Sequence, residues 1–167
     1  MNNSELLIIT PHHTGIIVAD LETAMDAYIE NFGYGFFLFE VNERNATLSE
    51  SSASFSVRIG MGQLGLNLIE LIQPVTGTTL YSQHLAQEGP GLHHLGFSAS
   101  DVGVARQQLE ARGYSCLQNG KINGLVDFSY YQSAELACIV EPLHLSCDLA
   151  GFLLKNAQLY TRKSATA

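Results

Sequence analysis

Residues 91–101 read Gly-Leu-His-His-Leu-Gly-Phe-Ser-Ala-Ser-Asp, a pattern typical of a buried β-strand that ends on an aspartate. Residues 12–20 read His-His-Thr-Gly-Ile-Ile-Val-Ala-Asp and repeat its main features. The offset between the two segments is constant at 81 residues. The pairs that keep this offset are His13 with His94, Gly15 with Gly96, and Asp20 with Asp101. The repeat predicts a duplicated module of about eighty residues.

The duplication predicts the same order of elements in both modules: a strand, a helix and three further strands. In the first module, Asp20 is placed to cap the helix and Gly33 to end it. Aspartate accepts hydrogen bonds from free N–H groups at a helix start, and glycine favours the left-handed conformation at a helix end. Asp101 and Gly113 hold the matching places in the second module. The predicted fold class is therefore α+β, with two βαβββ modules in tandem.

Apolar alternation and turn residues divide the chain into elements. Strands are predicted at residues 12–18, 34–41, 54–61, 66–73, 93–98, 114–118, 126–132 and 136–145. Residues 42–52 are predicted as a mobile loop and 119–124 as a turn-rich loop. Residues 79–87 are predicted as a short helix and 148–160 as an appended helix. The predicted domains are an N-terminal arm (1–10), a first module (11–75), a linker (76–90), a second module (91–147), and a C-terminal helix and tail (148–167).

The composition restricts the classes of function. Of the 167 residues, 46% are hydrophobic and 14% charged, which is ordinary for one compact domain or two small ones. The net charge is −8 and the eight basic residues are scattered, so no nucleic-acid partner is expected. Because no apolar run is long enough to span a bilayer, no membrane association is expected either. The three cysteines lack a Cys-x-x-Cys spacing, and their odd number fits a cytoplasmic location.

The two histidine pairs are expected to divide between the faces of their strands, because side chains alternate along a strand. His94 shares a face with small residues, which suits a cavity, whereas His93 shares a face with Leu, Phe and Ala that would pack on the helix. The first strand repeats this division, so His13 is expected at the cavity and His12 away from it. We interpret the histidines other than His13 and His94 as structural or surface residues.

The last strand of each module carries one glutamate between apolar residues, Glu70 in the first and Glu141 in the second. Each needs a partner, because burial of an unpaired carboxylate is costly. Two histidines and two glutamates at matching places can bind one divalent metal ion, and these donors suit Zn, Ni, Co, Mn or Fe. A single strand histidine is more often structural and a single glutamate usually faces water, so the hypothesis depends on the joint pattern.

Two motifs, Gly-Leu-His-His at residues 91–94 and Ile-Glu-Leu-Ile-Gln-Pro at residues 69–74, resemble the vicinal oxygen chelate superfamily of glyoxalases, bleomycin-resistance proteins and extradiol dioxygenases. The resemblance implies that the two βαβββ modules form curved sheets around a metal-binding cavity. It places the metal ligands at His13, Glu70, His94 and Glu141. Within the superfamily the motifs look most like methylmalonyl-CoA epimerase, but Glu70 stands where epimerases carry glutamine and glyoxalase I carries glutamate.

The resemblance implies a metal-dependent epimerase, isomerase or lyase that transfers a proton alpha to a carbonyl, possibly on an acyl-CoA. Glu70 and Glu141 are then the candidate catalytic residues. Arg58, the only basic residue in the strands of the first module, and Tyr131 are candidate substrate-binding residues. The partners expected are a small-molecule substrate and a second copy of the chain in a homodimer.

Two alternatives stay open. One is a glyoxalase I-like lyase that acts on a 2-oxoaldehyde–thiol adduct. The other is a metal-free protein of the same fold that binds an apolar ligand, in which Phe55, Tyr130 and Tyr131 would matter more than the histidines.

Overall fold

The computed structural model describes residues 9–148 and 157–161, and its main element is one curved ten-stranded sheet. The strands are β1 (Ile9–Ile17), β2 (Gly35–Asn42), β3 (Ala46–Leu48), β4 (Ser56–Leu64), β5 (Asn67–Thr76), β6 (Gly91–Ala99), β7 (Ser115–Ile122), β8 (Val126–Gln132), β9 (Ile139–Leu145) and β10 (Gln158–Tyr160). The helices are α1 (Leu21–Phe32), α2 (Leu80–Glu88) and α3 (Val102–Ala111). No helix among the described residues is long and apolar enough to cross a membrane.

The two strands that carry the histidine pairs lie side by side in the middle of the sheet. The strand order is β10-β2-β4-β5-β1-β6-β9-β8-β7-β3, and β1 pairs with β6 in the antiparallel sense. On the two outer sides, β5 pairs in parallel with β1 and β9 pairs in parallel with β6. Each half of the chain thus contributes four strands in equivalent order to the central sheet. The α+β fold class predicted from the repeat is confirmed.

The repeated aspartates start the two matching helices as predicted. The carboxylate of Asp20 accepts a hydrogen bond from the Thr23 N–H at 2.8 Å, and that of Asp101 accepts one from the Val104 N–H at 3.0 Å. Gly33 follows α1 with φ 76°, in the left-handed region. The caps set where each helix begins. α1 packs on β4 and β5, and α3 packs on β7, β8 and β9, so each helix lies mainly against strands of its own half.

The loop prediction for residues 42–52 is wrong at β3. This three-residue strand crosses to the other half of the chain and pairs with β7, with Ala46 opposite Ile122. Ser49 continues the crossing, since its N–H donates to the Asn119 carbonyl at 2.9 Å. Because β3 supplies a partner, β7 runs on to Ile122 and the predicted loop at 119–124 shrinks to a turn at Asn123 and Gly124, both with positive φ.

The two ends of the chain fall partly outside the described residues. Residues 1–8 of the predicted arm lie outside them, and its last two residues belong to β1. Of the helix predicted at 148–160, residues 149–156 lie outside them. The prediction is wrong for Gln158–Tyr160, which form β10 and pair with β2 through Leu159 opposite Phe37. The free edge of β2 offers unpaired N–H and C=O groups, which favours a strand there.

Candidate metal centre

Two glycines make room for the imidazole rings of His13 and His94. In the antiparallel register of β1 and β6, His13 lies opposite Gly96 and Gly15 lies opposite His94. A Cβ on Gly96 would collide with the imidazole of His13, and a Cβ on Gly15 would collide with that of His94. Each ring therefore crosses the neighbouring strand at a residue without a side chain. The Nε2 atoms of the two rings meet 2.9 Å apart.

The two glutamates join this pair from the outer strands. Glu70 lies beside Gly15 in the parallel pairing of β5 with β1, and Glu141 lies beside Gly96 in that of β9 with β6. The Oε2 atom of Glu70 is 3.4 Å from Nε2 of both His13 and His94. The Oε2 atom of Glu141 is 3.2 Å from Nε2 of His13 and 3.4 Å from Nε2 of His94. The structure thus brings the four sequence-predicted ligands together.

The donor set fits a divalent cation. Metal–ligand distances of about 2.0–2.2 Å place neighbouring donor atoms about 2.8–3.6 Å apart, and the distances from each histidine Nε2 to the other and to the two carboxylates, 2.9–3.4 Å, fall in this range. His13, Glu70 and His94 form a group that could hold a metal ion. Oε2 of Glu141 is buried yet accepts no hydrogen bond from any described residue, although it faces both histidines. A buried carboxylate oxygen without a donor is costly, so a cation at this point would satisfy it.

The charges of the cluster depend on one another. Burial lowers the pKa of His13, but the carboxylates of Glu141 and Glu70 outweigh it and raise that pKa to about 10. Burial raises the pKa of Glu70, but His13 and His94 outweigh it and hold that pKa well below its usual range. Without a metal ion, a charged imidazole between the two carboxylates therefore offsets part of their negative charge. A divalent cation would take over that role and displace the proton.

The first histidine of each pair departs from the predicted alternation. The pairing register of β1 and β6 shifts at two places. Between Pro11 and His13 the residue without a partner is His12. Between Gly15, which pairs with His94, and Ile16, which pairs with Leu92, the residue without a partner is His93, so His12 and His93 are the extra residues of two β-bulges. Bulges re-aim side chains, and they occur often beside active sites. Nδ1 of His12 lies 2.8 Å from Nδ1 of His13, and Nδ1 of His93 lies 2.9 Å from Nδ1 of His94. The expectation that His12 points away from the cavity is wrong, since His12 lines it.

The cluster lies at a cavity of about 680 Å³ that both halves of the sheet and Tyr81 of α2 line. His13, Glu70 and Glu141 line it, whereas His94, which was predicted to face it, is fully buried and does not. The walls are mainly apolar, and residues from both halves form them: Phe37, Phe39, Ile59, Met61, Phe128 and Leu143. Among the described residues that line the cavity, none is lysine or arginine, so it suits an uncharged, largely apolar group.

Two tyrosines add polar hydrogens to this apolar wall. The hydroxyls of Tyr81 on α2 and Tyr130 on β8 lie 2.8 Å apart, and the ring of Tyr130 lies 5.0 Å from that of His94. Burial raises the pKa of both phenols, and the Glu70 and Glu141 carboxylates raise them further, so both stay protonated. One O–H serves the bond between the hydroxyls. The other can donate to an oxygen atom of a molecule in the cavity.

The two predicted substrate-binding residues lie elsewhere. The guanidinium of Arg58 donates to Glu22 on α1 at 2.9 Å and to Gln73 at 3.4 Å, on the face of β4 away from the cavity. Tyr131 is buried and donates to Glu110 of α3 at 2.8 Å. Neither residue lines the cavity. Because side chains alternate along β8, Tyr131 points toward α3 and the preceding residue, Tyr130, points into the cavity. The sequence prediction chose the wrong one of these two adjacent tyrosines as a residue of the cavity.

Fold and site together define a class: duplicated βαβββ proteins in which two histidines of the central strands and two carboxylates of the adjacent strands form one cluster beside a cavity. The family model of the glyoxalase/bleomycin resistance protein/dioxygenase superfamily matches residues 12–130, more than half of the chain. The chain belongs to this superfamily. None of the curated proteins compared with the chain matches it.

Solved structures of similar fold include several epimerases. Methylmalonyl-CoA epimerase from Mycobacterium tuberculosis superposes with a TM-score of 0.67 at 18% identity, over 90% of this chain and 99% of that one. A Streptomyces coelicolor methylmalonyl-CoA epimerase variant in complex with 2-nitronate-propionyl-CoA gives 0.66 at 21%, over 83% and 99%. A hypothetical protein from Bacillus halodurans gives 0.61 at 15%, over 81% and 94%. At these identities the similarity establishes the fold alone.

Proposed function

We propose that this protein is a metal-dependent epimerase or isomerase that moves a proton at a carbon next to a carbonyl group. The observation that carries the proposal is the convergence of His13, Glu70, His94 and Glu141 beside an apolar cavity: the two Nε2 atoms lie 2.9 Å apart, and one oxygen of each carboxylate lies 3.2–3.4 Å from both of them. Superfamily membership and the epimerase-like fold support it.

The four ligands would hold the cation through Nε2 of each histidine and a carboxylate oxygen of each glutamate. A bound divalent cation supplies Lewis-acid stabilisation of negative charge that develops on a substrate carbonyl oxygen. Glu70 and Glu141 each carry a second carboxylate oxygen, and one of these residues accepts and returns the proton as general base and acid. Both line the cavity, which places a proton acceptor next to the cluster.

The cavity wall selects the reacting end of the substrate. Its apolar side chains exclude water from the carbon that loses a proton, and the hydroxyl pair of Tyr81 and Tyr130 donates a hydrogen bond to a substrate oxygen. With no lysine or arginine among the described lining residues, phosphate groups would stay outside. An acyl thioester, including an acyl-CoA with its nucleotide at the surface, meets these requirements. A 2-oxoaldehyde–thiol adduct is the second candidate.

Solvent exchange tests this function directly. Protein loaded with Co²⁺ or Zn²⁺ is incubated in D₂O with a panel of short acyl-CoAs and with a 2-oxoaldehyde–glutathione adduct, and deuterium at the alpha carbon is followed by NMR. We expect metal-dependent exchange that His94→Ala abolishes and Glu141→Gln reduces. Absence of both metal binding and exchange, together with tight binding of an apolar ligand, would refute the enzyme and favour a metal-free binding protein.

A further inference from the structure

Four histidines form one continuous row across β1 and β6. Nδ1 of His12 lies 2.8 Å from Nδ1 of His13, Nε2 of His13 lies 2.9 Å from Nε2 of His94, and Nδ1 of His94 lies 2.9 Å from Nδ1 of His93. Neighbouring rings keep the same relation along the row, with centroids 5.1–5.2 Å apart and planes at 84–90°. The two candidate ligands are in the middle, and a non-ligand histidine stands behind each.

The protons in this row follow from the role of the middle pair. An imidazole that binds a cation through Nε2 carries its one proton on Nδ1, and that N–H needs an acceptor. For His13 and for His94, the atom at hydrogen-bond distance from Nδ1 is Nδ1 of the preceding histidine. That atom accepts only if it carries no proton. His12 and His93 must therefore be neutral, with their own proton on Nε2.

The surroundings hold the ring of His93 beside His94. His93 is buried between the rings of Tyr81, His84 and Tyr130. Among the described residues, its one side-chain hydrogen-bond contact is that between its Nδ1 and Nδ1 of His94. The proton that this assignment places on Nε2 of His93 has no acceptor among the described residues, so the contact with His94 has to outweigh the cost of one unsatisfied N–H.

The backbone is arranged for these contacts at both places. In a regular strand, consecutive side chains point to opposite faces, so a His-His pair could not bring its two Nδ1 atoms together. The extra residue of each bulge removes this restriction, and it is the first histidine of the pair in both β1 and β6. Two separate bulges that produce the same contact argue for a function of the contact itself.

We propose that His12 and His93 are positioning residues of the metal centre, each accepting the Nδ1–H of the adjacent ligand and so holding that ring with its Nε2 toward the cation. The inference depends on the metal-binding function proposed above. Loss of such an outer contact lowers metal affinity by about 10- to 100-fold in known sites. His12 has the more open place of the two, since it is half-buried and also lines the cavity.

Paired substitutions separate the hydrogen bond from packing. In His12→Asn and His93→Asn the amide oxygen takes the place of Nδ1 on the same Cγ and keeps the acceptor, whereas His12→Leu and His93→Leu keep bulk and remove it. His84→Leu is the control, because His84 packs on the ring of His93 but is not adjacent to a ligand in the row. Affinity for Zn²⁺ and Co²⁺ is measured by competition with a chromophoric chelator, and folding by circular dichroism.

We expect each Leu variant to lose about 10- to 100-fold in metal affinity, each Asn variant to recover to within about threefold of the unmodified protein, and His84→Leu to bind normally. The inference would be overturned if the Leu variants bound metal as tightly as the unmodified protein, or if the Asn variants lost as much affinity as the Leu variants. If His93→Leu does not fold, the half-buried His12 pair decides. Long-range ¹H–¹⁵N spectra of the Zn²⁺ protein provide a second measurement, since a proton on Nε2 of His13 or His94 would also refute it. If the unmodified protein binds neither ion, the proposed function fails first.

Discussion

Replacing Gly96 by alanine adds one methyl group where the imidazole of His13 crosses β6. The added Cβ would collide with Cε1, Nδ1 and Nε2 of that ring, so the ring must turn away. Overpacking of this kind costs about 1–3 kcal/mol. For a domain of this size that lowers Tm by about 2–12 °C. The larger effect falls on the site, because a rotated ring no longer directs Nε2 at the cluster.

We expect Gly96→Ala to lower metal affinity by about 100-fold or more. Loss of a hydrogen bond to a ligand already lowers affinity by about 10- to 100-fold, and loss of the ligand itself should lower it further. Gly91→Ala is the matched control. Gly91 lies in the same strand, and a Cβ there would meet only Nε2 of His84 at 4.0 Å. Chelator competition with Zn²⁺ and thermal unfolding of both variants measure the two effects. Unchanged affinity in Gly96→Ala, or an equal loss in Gly91→Ala, would refute the reasoning.

Three further predictions concern charge and the cavity wall. Because the pKa of His13 is raised to about 10, its contribution to the stability of metal-free protein is complete below its ordinary pKa of 6.5 and is lost as pH rises through about 10. The lowered pKa of Glu70 adds stability that is present above its ordinary value of 4.5 and is lost as pH falls from there toward the lowered pKa. Urea unfolding from about pH 2 to 10 should show both losses, and a stability that rises between pH 7 and 10 would contradict the first. Tyr81→Phe should lower kcat/KM by about tenfold through one lost hydrogen bond while Zn²⁺ affinity stays unchanged; a parallel loss of metal would assign the hydroxyl pair to the centre instead. Arg58→Ala should leave both KM and metal affinity unchanged and cost at most about 1 kcal/mol, since its ion pair with Glu22 is about one-third exposed; a raised KM would restore it as a substrate anchor.

Much of the architecture was predictable because it follows from local rules applied twice. The 81-residue offset predicts two equivalent halves, and the capping aspartates and closing glycines mark where their helices begin and end. The same offset pairs His13 with His94, and the matching strands supply one glutamate each. The two glycines of the site are also visible in the sequence, because Gly15 follows His13 by two residues and Gly96 follows His94 by two residues.

The amino-acid sequence alone thus predicted the two βαβββ modules and the four candidate ligands, because duplication makes each pattern visible twice, and two of its motifs indicated the superfamily by resemblance. Tertiary structure alone decided which neighbouring side chains join them. Alternation is a property of one strand, but a bulge is a property of a pair of strands, so His12 moved into the cavity against the predicted parity. The alternation along β8 also places Tyr130, and not Tyr131, at the cavity. Pairing between residues 72 to 76 positions apart turned part of a predicted loop into β3. Long-range pairing sets these features, and its register cannot be obtained from local sequence.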